Sequence, residues 1–171
     1  MIKANLLITH DPAHLKRAKE EVTTLLESLG TKGRFLKSEV GGILKLRTTN
    51  PKEVVKSLVN LYKKKPKSFV STCRWIPIDK WCRSELGSMK RTTKKFSNDI
   101  KDNESWKMDL EKRHYDKHHT TELISELTKS VDKMKVNLSK PKKVIKVEVI
   151  GKQAGFSLLS KNEMLRASSK K

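Results

Sequence analysis

The chain has 171 residues, enough for one domain of common size or two small ones, and too few for a large catalytic domain beside a separate recognition domain. Lys and Arg number 39 against 19 Asp and Glu, a formal net charge of +20 that attracts polyanions. No apolar run approaches the roughly 18 residues of a membrane span, "MIKANLLITHDP" is too short in apolar character for a signal peptide, and neither a clear basic amphipathic helix nor a lipidation signal is found, which leaves nucleic acid as the expected partner and the cytoplasm as the expected compartment.

From the N-terminus, "KANLLITH" reads as a strand that stops at Asp11-Pro12, a cap followed by a residue suited to a first helical turn. Leu15, Ala18, Val22, Leu25, Leu26 and Leu29 recur at spacings of three and four, predicting a helix that Gly30 ends in a left-handed conformation. "GRFLKSEV" and "GGILKLRT" read as strands joined through Gly41-Gly42. Asn50-Pro51 with Glu53 predicts a capped second helix burying Val54, Val55, Leu58, Val59, Leu61 and Tyr62, and "SFVSTCRWIPI" a fourth strand. Residues 1–78 thus predict a β-α-β-β-α-β unit, the ferredoxin-like order, with both helices on one face of an antiparallel sheet.

Residues 79–104 predict a connecting helix capped by Asp79, with Trp81, Leu86 and Met89 against a neighbour. Residues 105–160 predict a second α/β unit. Trp106, Met108 and Leu110 alternate as in a half-buried strand; Thr120 or Thr121 caps a helix with Leu123, Ile124, Leu127 and Val131 on one face. Strands follow in "KVNLSKP", in "KKVIKVEVIG", where Lys146 and Glu148 alternate with Ile145, Val147 and Val149, and in "GFSLLS". The tail, residues 161–171, is basic and helix-compatible, and its final "SSKK" is expected to fray. Cys73 and Cys82 are too few for a disulfide framework and are expected as reduced core residues.

In the second half, Lys112-Arg113 at a strand end, Thr120-Thr121 opening a helix, Val136-Asn137-Leu138 with Pro141, and Val147-Glu148-Val149 ending at Gly151 follow one another in an order that resembles the THUMP domain. An N-terminal ferredoxin-like unit ahead of that domain is the usual arrangement, so the resemblance covers nearly the whole chain. It implies an RNA-binding module of the kind found in tRNA-modifying and tRNA-thiolating enzymes. No Gly-rich cofactor loop, P-loop, pyrophosphatase loop or zinc deaminase signature is present, and "GKQAGFS" has only half of a phosphate loop. The chain therefore resembles the stand-alone THUMP adapters that serve the tRNA cytidine acetyltransferase, which makes N4-acetylcytidine. This implies tRNA and that acetyltransferase, or another tRNA-modifying enzyme, as partners, with no activity and no cofactor of its own. The alternative is a general RNA-binding or ribosome-associated protein without a modification role.

The segment "KRHYDKHH" concentrates candidate contacts. His114 and His118 are four apart, as zinc-binding pairs can be, but no Cys or carboxylate stands at zinc spacing, and no nucleophile accompanies them for acid-base chemistry. Phosphate contact fits better: Lys112 and Arg113 supply charge, Arg113 adds a bidentate fork, and His114, His118, His119 and Tyr115 can stack on a base or sugar. Lys140, Lys142 and Lys143 are expected to join Lys112 and Arg113 in one patch, with the strand of Trp106, Met108 and Leu110 ended before Lys112 so that this side chain turns outward. Lys152, beside Gly151, belongs to the candidate set, and Arg34 and Arg74 carry charge on the first sheet, on a side that the sequence does not reveal. The lysines of "YKKKPK" at 62–67 read as complements to a helix C-terminus. Aromatics are only 5% of residues, which favours recognition of shape over stacking on single strands.

Overall fold

The computed structural model describes residues 2–167. In chain order its elements are β1 (Leu6–His10), α1 (Leu15–Ser28), β2 (Gly33–Leu36), β3 (Ile43–Thr48), α2 (Pro51–Lys64), β4 (Thr72–Pro77), β5 (Lys80–Arg83), α3 (Leu86–Ser97), β6 (Trp106–Arg113), α4 (Thr120–Thr128), β7 (Lys143–Ile150), β8 (Gln153–Leu159) and β9 (Leu165–Arg166). They form two units, one of residues 2–78 with 162–167 and one of residues 79–161. No helix among the described residues is long and apolar enough to cross a membrane.

The first unit has the β-α-β-β-α-β order, and its sheet runs β2-β3-β1-β4 with β9 added beyond β4. Its pairings are all antiparallel. The apolar stripes of α1 (Ala18, Val22, Leu25, Leu26) and α2 (Val54, Val55, Leu58, Val59) share a core with Leu6, Ile8, Leu44, Leu46 and Trp75. Gly30 takes φ +71, as the helix end requires. Glu21 ties α1 to the approach to β4: its carboxylate accepts from the backbone N–H of Val70, Ser71 and Thr72 at 2.8, 2.9 and 2.8 Å and from the Thr72 hydroxyl at 2.6 Å.

Local expectations need correcting in four places. Leu15 opens α1 but is 46% exposed, since it precedes the first turn that faces the sheet. Asn50 is left-handed (φ 50) and makes no side-chain cap, while Glu53 pairs with Lys56 at 3.3 Å instead of reaching back. Residues 79–104 are not one helix. Asp79 joins the sheet, its N–H donating to the Phe156 carbonyl at 2.8 Å and its Oδ2 accepting from the Leu158 N–H at 3.0 Å, so that β5 forms before α3 begins. The tail is not helical at Leu165–Arg166, where backbone pairing with β4 captures the chain and buries Leu165; residues 168–171, the expected frayed end, lie outside the described residues.

The second unit has a sheet of order β5-β8-β7-β6, in which β6 and β7 are parallel and the other pairs antiparallel. Met89 of α3 and Leu123 and Leu127 of α4 pack on Met108, Leu110, Ile145, Val147, Val149, Ala154 and Phe156, with the Phe96 and Phe156 rings stacked at 6.0 Å. Here too the sequence expectation gives way in part. "KVNLSKP" is not a strand: only Val136 bridges to Trp106, and the Asn137 side chain folds the next residues by accepting from the N–H groups of Ser139 and Lys140 at 3.1 and 3.0 Å. α4 begins after His119 with no side-chain cap from either threonine. Lys146 and Glu148 do alternate with the apolar set, but they are buried, at 0% and 6% exposure, rather than solvated. The Lys146 ammonium lies 3.3 Å from Asp109 Oδ1 on β6 and 3.9 Å from Glu148 Oε2.

Candidate nucleic-acid interface

The carboxyl ends of the parallel strands β6 and β7 form one edge of the second unit. There Arg113 pairs with Ile150, and the Arg113 carbonyl accepts from the Gly151 N–H at 2.9 Å. Gly151, at φ +58, opens the two-residue loop to β8 and leaves Lys152 exposed beside it. Ser84, just beyond β5, locks that loop: its hydroxyl donates to the Gly151 carbonyl at 2.7 Å and its N–H to the Lys152 carbonyl at 3.0 Å. Arg83 is exposed at the end of β5 opposite Gln153, with a 3.4 Å contact to Glu85. This residue was absent from the candidates because β5 itself is too short and too charged at its ends to be read as a strand.

The loop leaving β6 turns at His114, whose φ of 54 places it in the left-handed region and whose side chain is exposed. β6 continues to Arg113, contrary to the expectation that pairing ends before Lys112. Lys112 therefore stays on the apolar side of the strand, half-buried, and its ammonium donates to the His118 carbonyl at 2.8 Å. The effect is to hold the loop against the start of α4. His118 Nδ1 lies 2.6 Å from Glu122 Oε1, so this ring is committed to the first turn of α4. Tyr115 packs on the core with its hydroxyl buried and unbonded; burial, reinforced by the charge of Glu122, pushes the phenol above its ordinary range. His119 is exposed at the helix start. Arg113, His114, His119 and Lys152 thus remain available at one edge, with Lys112 and His118 bracing them.

Lys140, Lys142 and Lys143 are not part of that patch. Lys143 pairs with Trp106 at the amino end of β6, because the β6–β7 ladder is parallel. Eight paired residues put it about 23 Å from Arg113 at the usual strand rise. Antiparallel pairing would have brought the two groups together; a single sequence does not specify which pairing occurs. Lys140 and Lys142 are exposed, whereas Lys143 donates to the Ser160 hydroxyl at 2.9 Å and sits 4.0 Å from Glu104. The Lys101 N–H, assisted by the charges of Lys143, Lys101 and Lys142, holds the Glu104 carboxyl below its ordinary range, so its stabilising contribution is present at neutral pH and is lost as acid titrates it.

On the first unit, Arg34 and Arg47 stand directly opposite each other on β2 and β3, exposed on the side of the sheet away from α1 and α2. With Lys32, Asn5, Thr48 and Asn50 they line an open depression of about 580 Å³. Like charges in this relation repel, and an anion between them relieves the repulsion. Arg74 shares that side of the sheet by register but is buried, so it does not offer its guanidinium to solvent as a surface contact would. Among the described residues no group of three or more His, Cys, Asp or Glu is placed to hold a metal.

Arg113 has the clearest expected effect. Replacing it with Ala should weaken binding to a phosphate backbone by about 1–3 kcal/mol, the value of a charge-assisted contact, while the melting temperature barely moves because its guanidinium makes no hydrogen bond or ion pair among the described residues. Arg113→Lys should recover part of the loss, keeping charge without the fork. Filter binding and thermal melts of the two variants check this, and a sharp fall in melting temperature with intact binding would make the residue structural.

No protein-family description matches the sequence, and no curated protein matches it. Among solved structures, PH1313 from Pyrococcus horikoshii Ot3 superposes with a TM-score of 0.64 at 12% identity, over 94% of this chain and 54% of that one. TrmN from Thermus thermophilus gives 0.57 at 12% identity, over 90% of this chain and 44% of that one. The chain spans about half the length of either structure. At such identities the likeness is one of fold, and the fold is a ferredoxin-like unit followed by a THUMP-like α/β unit.

Proposed function

We propose that this chain is a tRNA-binding adapter: it holds folded tRNA through phosphates and shape and presents it to a separate modifying enzyme, the acetyltransferase that makes N4-acetylcytidine. The observation that carries this reading is the distribution of side chains available for phosphate contact. Arg113, His114, His119 and Lys152 gather at one edge of the second sheet, and Lys140 and Lys142 at the opposite edge. Groups about 23 Å apart engage different stretches of backbone, which a folded stem offers and a short flexible strand does not. Trp75 and Trp106 are buried in the two cores, so few large aromatic platforms remain for splayed bases. THUMP-like architecture in structures such as TrmN supports a tRNA-modification setting, and the high positive charge supports an RNA partner. The chain itself supplies binding, with chemistry left to its partner.

The test combines binding with turnover. Purified chain should bind folded tRNA and, incubated with it and either acetyl-CoA or S-adenosylmethionine, leave every nucleoside unchanged by mass spectrometry. Modification by the isolated chain would overturn the adapter reading, and absence of tRNA binding would overturn the RNA reading with it.

A further inference from the structure

Three of the large hydrophobic side chains that this protein exposes lie at alternate positions in a single segment between α4 and β7: Met134 at 97%, Val136 at 57% and Leu138 at 75% exposure. In a chain whose charged residues make up 34%, such a cluster marks a surface that something covers. Among the described residues the backbone of the segment pairs with β6 at Trp106, whose Nε1 also donates to the Lys133 carbonyl at 3.1 Å. Val136 bridges Trp106 in parallel, the Trp106 N–H donating to the Lys135 carbonyl at 2.8 Å and the Trp106 carbonyl accepting from the Asn137 N–H at 3.0 Å. Those bonds show that the backbone groups of Trp106 point away from β7. In a strand the direction alternates, so the N–H and C=O groups of Met108 and Leu110 also point away from β7. β6 is the last strand of its sheet, and among the described residues neither Met108 nor Leu110 has a further backbone partner on that side. Proteins ordinarily protect an edge of this length with Pro, a bulge or a covering element.

We propose that the β6 edge and the 134–138 segment form a docking site for an extended stretch of a partner protein in which aliphatic and acidic residues alternate, added to the sheet as a strand. The open peptide groups call for another peptide backbone, and Met134, Val136 and Leu138 call for aliphatic side chains. Lys135 is exposed between Met134 and Val136 and selects an acidic residue between the aliphatic ones. A second copy of this chain fits poorly, because it brings the same lysine-rich edge and a net charge of +20. RNA fits poorly as well, since it has neither the alternating donors and acceptors of a peptide nor aliphatic groups. The biological meaning rests on the adapter reading, in which a separate protein receives the tRNA; the edge geometry stands independently of it.

The test uses the whole chain and a fluorescein-labelled octapeptide of alternating valine and glutamate, followed by anisotropy. This peptide should bind at least tenfold more tightly than its fully N-methylated form, which lacks every backbone donor, and than a valine–lysine counterpart. The double substitution Val136→Ser with Leu138→Ser, which removes the aliphatic groups without adding charge, should weaken binding at least tenfold, leaving tRNA affinity and the unfolding midpoint unchanged. No binding of the valine–glutamate peptide, equal binding of the methylated form, or unchanged affinity in the double variant would overturn the proposal. So would loss of tRNA binding in that variant, which would assign the segment to RNA. If the unaltered chain binds the peptide but not tRNA, the docking site stands and the adapter reading alone fails.

Discussion

Raising salt from 50 to 200 mM should reduce the affinity of this protein for folded tRNA by about three to four decades, on a log-log slope of about −4.5 to −7, if five to eight phosphates are neutralised. The expectation follows from what the surface lacks as much as from its charge. Aromatics are 5% of the chain, and Trp75 and Trp106 belong to the cores, so counterion release is the main source of binding energy available. Isotherms across that salt range, run beside an unstructured oligonucleotide of equal charge, check it. A slope shallower than about −2, or equal affinity for the unstructured strand, would contradict recognition of folded backbone by two separated cationic edges.

Removing the charge of Lys146 should destabilise the second sheet as much as truncating one of its large core side chains. Lys146 is fully buried, between Asp109 on β6 and Glu148 on its own strand, whose side chains are 23% and 8% exposed. Lys146→Met keeps the length of the side chain but removes the ammonium that lies 3.3 Å from Asp109 and 3.9 Å from Glu148, a loss of about 3–5 kcal/mol by the behaviour of broken buried ion pairs. Adding Asp109→Asn and Glu148→Gln should restore much of that stability, because neutral amides tolerate the site without the charge. Urea unfolding of the single and triple variants reads this directly. A change below about 1 kcal/mol for Lys146→Met would mean that water, rather than the lysine, satisfies the carboxylates.

Legibility in the sequence tracked the range of the interactions responsible. α1 and α2 were readable because a 3.6-residue stripe, a helix-opening proline and Gly30 are local signals, and Trp106, Met108 and Leu110 announced β6 by simple alternation. What could not be read depended on distant partners. β5 is four residues with charged ends, and only its pairing with β8 makes it a strand; Leu165–Arg166 likewise becomes one by reaching β4. The alternation of Lys146 and Glu148 has the form of a solvated face, yet the folded chain buries both. The candidate cations were recognisable as cations, but their grouping required the β6–β7 register, which places Lys143 beside Trp106 and Arg113 beside Ile150. It also required knowing that β6 runs through Lys112, which turns that lysine from a surface contact into a brace for the His118 loop.

The central claim is that this chain delivers tRNA to a modifying enzyme, and the most direct measurement is nucleoside mass spectrometry of tRNA from cells lacking the protein. The adapter account predicts that N4-acetylcytidine disappears from tRNA, returns on expression of the intact chain, and returns only partly with Arg113→Ala. Unchanged N4-acetylcytidine in the deletion strain would contradict the account and leave a protein that binds RNA for another purpose.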